Sequence, residues 1–140
     1  MKSNTTFSII KPDAIKNNCQ GLIIDRILKA GFQIVAMKMC SLNEEHARKF
    51  YCIHKDKSFF DSLIKFMSSG ALIALVLKKE DAVDEFRNLI GATNPEDATK
   101  GTIRADFATS IEHNAVHGSD SCENAKHEIS FFFSSLDILN

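Results

Sequence analysis

The segment Asn114-Ala115-Val116-His117-Gly118-Ser119-Asp120 is the part of the chain whose residue types and spacing best suit covalent chemistry. Its histidine follows a short apolar pair and precedes a glycine, the pattern of a side chain held at a strand-to-turn junction. Imidazole titrates near about 6.5 and is largely neutral at pH 7, so one ring nitrogen can act as a nucleophile. The other nitrogen then needs a partner to fix it. Glu128, further along the chain, is a candidate for that role, with Ser119 able to bridge. His46, His54, His113 and His127 lack such a setting and read as surface or satisfied core residues.

Three cations suggest what the nucleophile would attack. Lys11 lies at the end of an apolar run, Arg87 late in a helical stretch, and Arg104 inside a polar, glycine-flanked region. Phosphoryl transfer asks a protein mainly for positioning and charge neutralisation. Arginine forks match phosphate oxygens, and lysine supplies a point charge. Each cation taken singly reads as an ordinary surface residue; spacing alone does not bring them together. Tyr51 and the adjacent pair Phe59-Phe60 add rings. Two neighbouring phenylalanines cannot both face a core within a regular segment, so one can present its ring to a nucleobase, although on pattern alone two aromatics packed at a helix entry is the stronger reading. Glycine-rich phosphate loops of the Walker or Rossmann kind are absent, so a nucleotide site here must be built another way.

These residues need elements to position them. Thr5 to Ile10 reads as a strand ended by Lys11-Pro12, since proline cannot continue a sheet ladder. Gln20 to Ala30 carries Ile23, Ile24, Ile27 and Leu28 at helical spacing and stops at Gly31. Phe32 to Met39 is strand-like. Ser41-Leu42-Asn43-Glu44 has capping-box spacing and predicts a helix running to about His54. Ser58 to Met67 predicts another helix, Ala71 to Leu77 a buried strand, Asp81 to Ile90 a helix ended by Gly91, and Ser121 to Phe133 a last helix. Between 92 and 119 periodicity fails apart from brief helical and strand-like pieces. That stretch gathers Thr93, Asn94, Thr99, Thr102, Arg104 and Asn114. A loop so long in a small domain is functional or misread, and its composition argues for function.

Composition sets the outer limits. With 140 residues, 44% hydrophobic and 25% charged, the chain reads as one globular domain over 1–140, with helices layered on a small sheet. A net charge of -1 leaves no global field for nucleic acid or an anionic membrane, so neither is expected as a partner. Met1 to Lys11 has no apolar core of signal length, and the longest apolar run is far too short for a bilayer, which together predict a cytoplasmic protein. Cys19, Cys40, Cys52 and Cys122 show no paired spacing and read as reduced thiols.

On these residues the sequence resembles the nucleoside diphosphate kinases. The stretches that carry the resemblance are Phe7 to Ala14 (FSIIKPDA), Phe59-Phe60, Gly91 to Pro95 (GATNP), Gly101 to Arg104 (GTIR), Asn114 to Ser121 (NAVHGSDS) and Ala125 to Phe133 (AKHEISFFF). The resemblance implies a ferredoxin-like α/β (α+β) domain with a four-stranded antiparallel sheet covered by helices. It implies that a nucleoside triphosphate such as ATP gives its γ-phosphoryl to His117 and that a nucleoside diphosphate then takes it, a ping-pong reaction with broad base tolerance. By the same resemblance Glu128 orients His117, and Lys11, Tyr51, Arg87, Thr93 and Arg104 contact phosphates. Asn114 and Lys11 hold ribose hydroxyls, and Phe59 stacks on the base. Mg2+ is implied as a cofactor carried mainly by the nucleotide, with no protein ligand set, and a tetramer or hexamer as the assembly.

Departures from the family pattern are Ser58, Ala71 and Lys100 where proline is usual, and Lys78-Lys79 where glycine is common. They predict a loss of about 0.4–1 kcal/mol of stability per compatible proline site and leave the chemistry intact. Two other readings compete: a phosphohistidine relay that passes the group to a protein, and a non-catalytic nucleotide- or RNA-binding module. The first would not require Phe59, Asn114 and the cations together. The second would require a basic, aromatic-studded surface that this composition does not announce.

Overall fold

The computed structural model describes residues 3–140; Met1 and Lys2, the first residues of the amino-terminal stretch read above, lie outside the described residues. Four antiparallel strands form its centre in the order β2-β3-β1-β4: β1 (Thr5–Ile10), β2 (Gln33–Ser41), β3 (Ala71–Lys78) and β4 (Val116–Gly118). This is the expected ferredoxin-like sheet. The apolar run of β3 is explained by burial on two sides. Leu72, Ala74 and Val76 join one core with Phe7, Ile9, Phe50, Ile64 and Phe132, while Ile73, Leu75 and Leu77 join another with Ile23, Ile27, Phe86 and Ile90. Strand side chains alternate between faces, so a strand covered on both faces must be apolar throughout.

Helices supply the covers. On the first face lie α3 (Glu44–Phe50), α4 (Phe60–Met67) and α7 (Cys122–Phe132); on the second lie α2 (Gln20–Lys29), α5 (Ala82–Ile90) and α6 (Ile103–Phe107). A short α1 (Pro12–Lys16) follows β1 directly. The sequence reading stopped at Pro12 as a strand terminator, and the same proline opens a helix, where its missing N–H costs nothing.

The helix predicted from Ser41 to about His54 differs from expectation at both ends, the one predicted from Ser58 starts at Phe60, and β2 runs on to Ser41. Ser41 does not cap α3: it is the last residue of β2, opposite Ala71, and the Asn43 side chain accepts from His46 N–H at 2.7 Å instead. Asn43 lies one residue before the first helical residue, so its carbonyl oxygen reaches an orphan N–H that Ser41 cannot. The helix also stops at Phe50 rather than near His54, and a separate 3-10 turn spans Cys52–His54. The irregular stretch from 92 to 119 contains a 3-10 turn (Pro95–Asp97), α6 and β4.

Candidate active site

His117 is the middle residue of β4, an edge strand paired with β1 so that His117 stands opposite Ile9. The next residue must be small: a Cβ on Gly118 would lie 3.0 Å from ring and methyl carbons of Phe86 and Ile90, so glycine lets the strand lie close on α5. The imidazole meets Phe7, Phe50 and Tyr51 edge-on, at centroid distances of 6.0, 5.8 and 6.4 Å. Its Nε2 is 2.9 Å from Glu128 Oε1, and the Ser119 hydroxyl donates to the same oxygen at 2.6 Å. A carboxylate acceptor fixes the ring proton on Nε2 and leaves the Nδ1 lone pair available. Glu128 comes from α7, whose start is fixed by Ser121 accepting from Asn124 N–H.

The cations converge on the same place although they come from three elements. Lys11, at the β1–α1 junction, is 7% exposed and donates to Asn114 Oδ1 at 2.8 Å. Burial, and then the neighbouring Arg104, lower its pKa from 10.5 to about 8. Arg104, on α6, donates to the carbonyls of Gly91 at 3.0 Å and Val116 at 2.9 Å. Its pKa falls to about 10, chiefly through burial and then through Arg87 on α5. Like charges held together in a partly desolvated cleft destabilise one another until an anion arrives. Gly91 makes the corner behind Arg104. It has φ +86°, and an added Cβ would lie 2.5 Å from Thr102 Oγ1.

Two buried donors on this surface have no acceptor among the described residues: the Tyr51 hydroxyl and Arg104 Nε. Buried polar groups are nearly always satisfied, so orphans that line a cleft mark the place of a bound group. Burial, and then the Glu128 charge, push the Tyr51 hydroxyl up, which keeps it a donor. Asn114 completes this side, with Nδ2 donating to Thr93 O at 3.1 Å.

All nine residues singled out in the sequence (Lys11, Tyr51, Phe59, Arg87, Thr93, Arg104, Asn114, His117 and Glu128) line one cleft of about 440 Å³. A second groove of about 420 Å³ borders α1 and holds none of them. The adjacent phenylalanines divide as expected: Phe60 is buried, whereas Phe59 is 47% exposed at the cleft.

The cleft also holds residues the sequence reading passed over. Ile111 is 60% exposed on the wall, a second large apolar surface alongside Phe59. Its position among Thr109, Ser110, Glu112 and His113 was a usable signal, because an isolated isoleucine in a polar loop has no core partner of its own. His54, read as a surface or satisfied core residue, lines the cleft with its ring 5.7 Å from Phe59 and 6.5 Å from Tyr51. Glu112 accepts from the Ser62 hydroxyl at 2.8 and 2.9 Å, and His113 stacks on Phe66 at 4.3 Å. Ser62 and Phe66 are one turn apart on α4, so consecutive loop residues clasp one face of that helix.

A half-buried imidazole with one nitrogen committed, ringed by cations and faced by exposed apolar side chains, suits a phosphorylated ligand with a flat organic end. Comparison with known proteins agrees. The family model described as nucleoside diphosphate kinase matches residues 4–138. The nucleoside diphosphate kinase of Campylobacter concisus is 56% identical over 95% of this chain and 97% of its own length. That of Helicobacter pylori strain P12 is 56% identical over the same shares. Among solved structures, the Aquifex aeolicus nucleoside diphosphate kinase superposes with a TM-score of 0.95 at 45% identity, covering 97% of this chain and 99% of that one. The Halobacterium salinarum enzyme in complex with CDP gives 0.94 at 36% identity, covering 100% and 93%. Matched along nearly its whole length in both sequence and backbone, the chain belongs to the nucleoside diphosphate kinase family.

Proposed function

We propose that His117 carries the phosphoryl group, with Nδ1 as the attacking atom. The chain is an enzyme that moves the γ-phosphoryl group of a nucleoside triphosphate to a nucleoside diphosphate by a ping-pong route through a phosphohistidine. In the first half, the Nδ1 lone pair forms a bond to the γ-phosphorus as the bond to the bridging oxygen breaks, releasing the nucleoside diphosphate. The positive charge gained by the ring is held through Nε2–H by Glu128, which Ser119 keeps in place. In the second half, a terminal phosphate oxygen of the acceptor attacks the same phosphorus, and the electron pair returns to Nδ1.

The single observation that carries this reading is the His117–Glu128 pair at 2.9 Å in a cleft with three cations and two orphan donors. Lys11, Arg87, Arg104, Tyr51 and Thr93 take phosphate oxygens. Asn114 and Lys11 take the ribose, and Phe59 takes one face of the base, with Ile111 a second exposed apolar side chain of the same cleft. Contacts to ring faces rather than base edges support broad base tolerance.

Magnesium enters as part of the substrate, on the nucleotide phosphates. The donor set supports this: Glu128 is engaged by His117 and Ser119, Asp120 by Asn124 and Glu112 by Ser62. Among the described residues no group of three or more His, Cys, Asp or Glu is arranged to hold a metal ion.

We read residues 1–140 as one domain that assembles as a homo-oligomer, a tetramer or hexamer. Exposed Leu22 and Leu28 on α2 and Met37 and Met39 on the edge strand β2 support association. A cytoplasmic location fits this substrate class; among the described residues no helix is long and apolar enough to cross a membrane.

Incubation with γ-labelled ATP and magnesium should give an acid-labile, alkali-stable adduct on His117 that unlabelled GDP removes. No adduct, or transfer by His117→Ala at the wild-type rate, would overturn the assignment.

A further inference from the structure

We propose that Asp13, which is not among the cleft residues, is a positioning residue for phosphoryl transfer: its carboxylate holds the strained turn that sets Asn114 and His117 in place. This rests on the reading of His117 given above.

The turn lies between those two residues. Val116 N–H donates to Asn114 O at 2.8 Å, an i to i+2 bond, and the residue between them, Ala115, has φ +71°. Such a γ-turn with positive φ is rare and strained, and an alanine gains nothing there that glycine would not give more easily. Strain of this kind persists only where the surroundings over-determine it.

They do so from a hundred residues away. Lys11 N–H donates to Ala115 O at 2.8 Å, and Ala115 N–H donates to Asp13 Oδ2 at 3.0 Å. Both backbone groups of the strained residue are therefore clamped by the β1–α1 junction. Ala115 itself is fully buried, so leaving either of its backbone groups without a partner is costly. The bond to Ala115 joins residues 102 positions apart, and the other oxygen, Oδ1, reaches no donor among the described residues.

The clamped turn carries chemistry on both sides. Before it stands Asn114, whose amide joins Lys11 Nζ to Thr93 O; two residues after it stands His117. Releasing Ala115 N–H would let the turn relax and tilt the start of β4. Asp13 touches neither cleft nor ligand and acts through Ala115. It has a second influence: its charge favours protonated Lys11, as Glu112 does, against burial and Arg104. The other partner of that ammonium, Asn114, is neutral.

Three variants test this, each read by single-turnover labelling of His117, by kcat and KM for ATP and GDP, and by the pH profile. Asp13→Ala should lower kcat by about 10- to 100-fold, the scale of a misplacement near one ångström, with a smaller change in KM. Adding Ala115→Gly to it should restore most of the lost kcat, because glycine adopts positive φ without being clamped. Asp13→Asn keeps an acceptor for Ala115 N–H, so kcat at pH 7 should stay within about threefold. The alkaline fall of kcat/KM should nevertheless move to lower pH, because the charge beside Lys11 is gone.

A folded Asp13→Ala variant with wild-type kcat overturns the proposal. So does a kcat loss that Ala115→Gly fails to restore, since a merely structural role would lower thermal stability without that rescue. Should Asp13→Ala not fold, Asp13→Asn decides: a kcat loss of tenfold or more at pH 7, or an unmoved alkaline limb, overturns it. If wild-type enzyme itself forms no adduct on His117, the function assigned to the cleft fails. If wild type labels normally and the Asp13 variants match it, only this inference fails.

Discussion

Lys11 makes the catalytic efficiency of the free enzyme depend on pH in a calculable way. Burial and then Arg104 lower its pKa from an ordinary 10.5 to about 8, and its charged form neutralises a phosphate oxygen where the neutral amine does not. The profile of kcat/KM reports the free enzyme, so it should bend near pH 8 and fall about tenfold per pH unit beyond. Bound phosphates favour the charged form, so kcat should hold to higher pH. The sign for stability is opposite. Between about 8 and 10.5 the unfolded chain binds the proton that the folded chain has lost, so this group makes the fold more stable as pH rises through that window. The full difference amounts to about 3 kcal/mol. The assays are initial rates from pH 6.5 to 10.5 and urea unfolding without nucleotide at pH 7 and pH 10, each paired with Lys11→Met. The variant should lose most activity at pH 7 and should lack this part of the rise in stability. A wild-type kcat/KM that stays flat from pH 7 to 10, or unfolding curves that respond to pH identically in both proteins, would refute the argument.

Other substitutions separate the parts of the cleft. Phe59→Ala should raise KM for nucleotides about tenfold, the scale of one lost base stack, and leave inorganic triphosphate as a donor unaffected. An equal loss with both donors would remove Phe59 from the base site. Arg104→Ala should lower kcat by up to about 10³-fold in rapid-quench turnover, less than an isolated transition-state arginine because Lys11 and Arg87 share the load. It should also move the alkaline limb upward, since the cation that depresses Lys11 is gone. Ser62→Ala breaks the bond to Glu112 that ties α4 to the loop bearing Ile111, and should raise KM about two- to tenfold at constant kcat. A change in kcat with unaltered KM would contradict that role.

The sequence made the sheet readable because β3 is apolar on both faces and the helices carry regular spacing. It made the candidate nucleophile readable because His117 sits between an apolar pair and a glycine. The failures share a cause. Pro12 signals both the end of a strand and the start of a helix, and only the tertiary path chooses between them. Ser41 and Asn43 are both good caps, and pairing of Ser41 with Ala71 across the sheet decides in favour of Asn43. Glu128 was within reach because it follows His117 on the next helix. Asp13 was not, because its bond to Ala115 spans residues on either side of the fold, and the positive φ that makes the bond matter leaves no mark on an alanine. Convergence of Lys11, Arg87 and Arg104 likewise depends on strand register and helix packing, which no local pattern encodes.

One feature of the cleft reaches beyond a single turnover. On the reading proposed above, donor and acceptor meet the same His117 through the same opening, one after the other, and the intermediate retains nothing of the base that delivered its phosphate. The enzyme therefore imposes no direction. Each visit moves a nucleotide up or down according to what happens to be abundant, so the nucleotide pools that reach the cleft behave as communicating vessels. What settles is a common ratio of triphosphate to diphosphate for all of them, and surplus in one becomes credit for the rest.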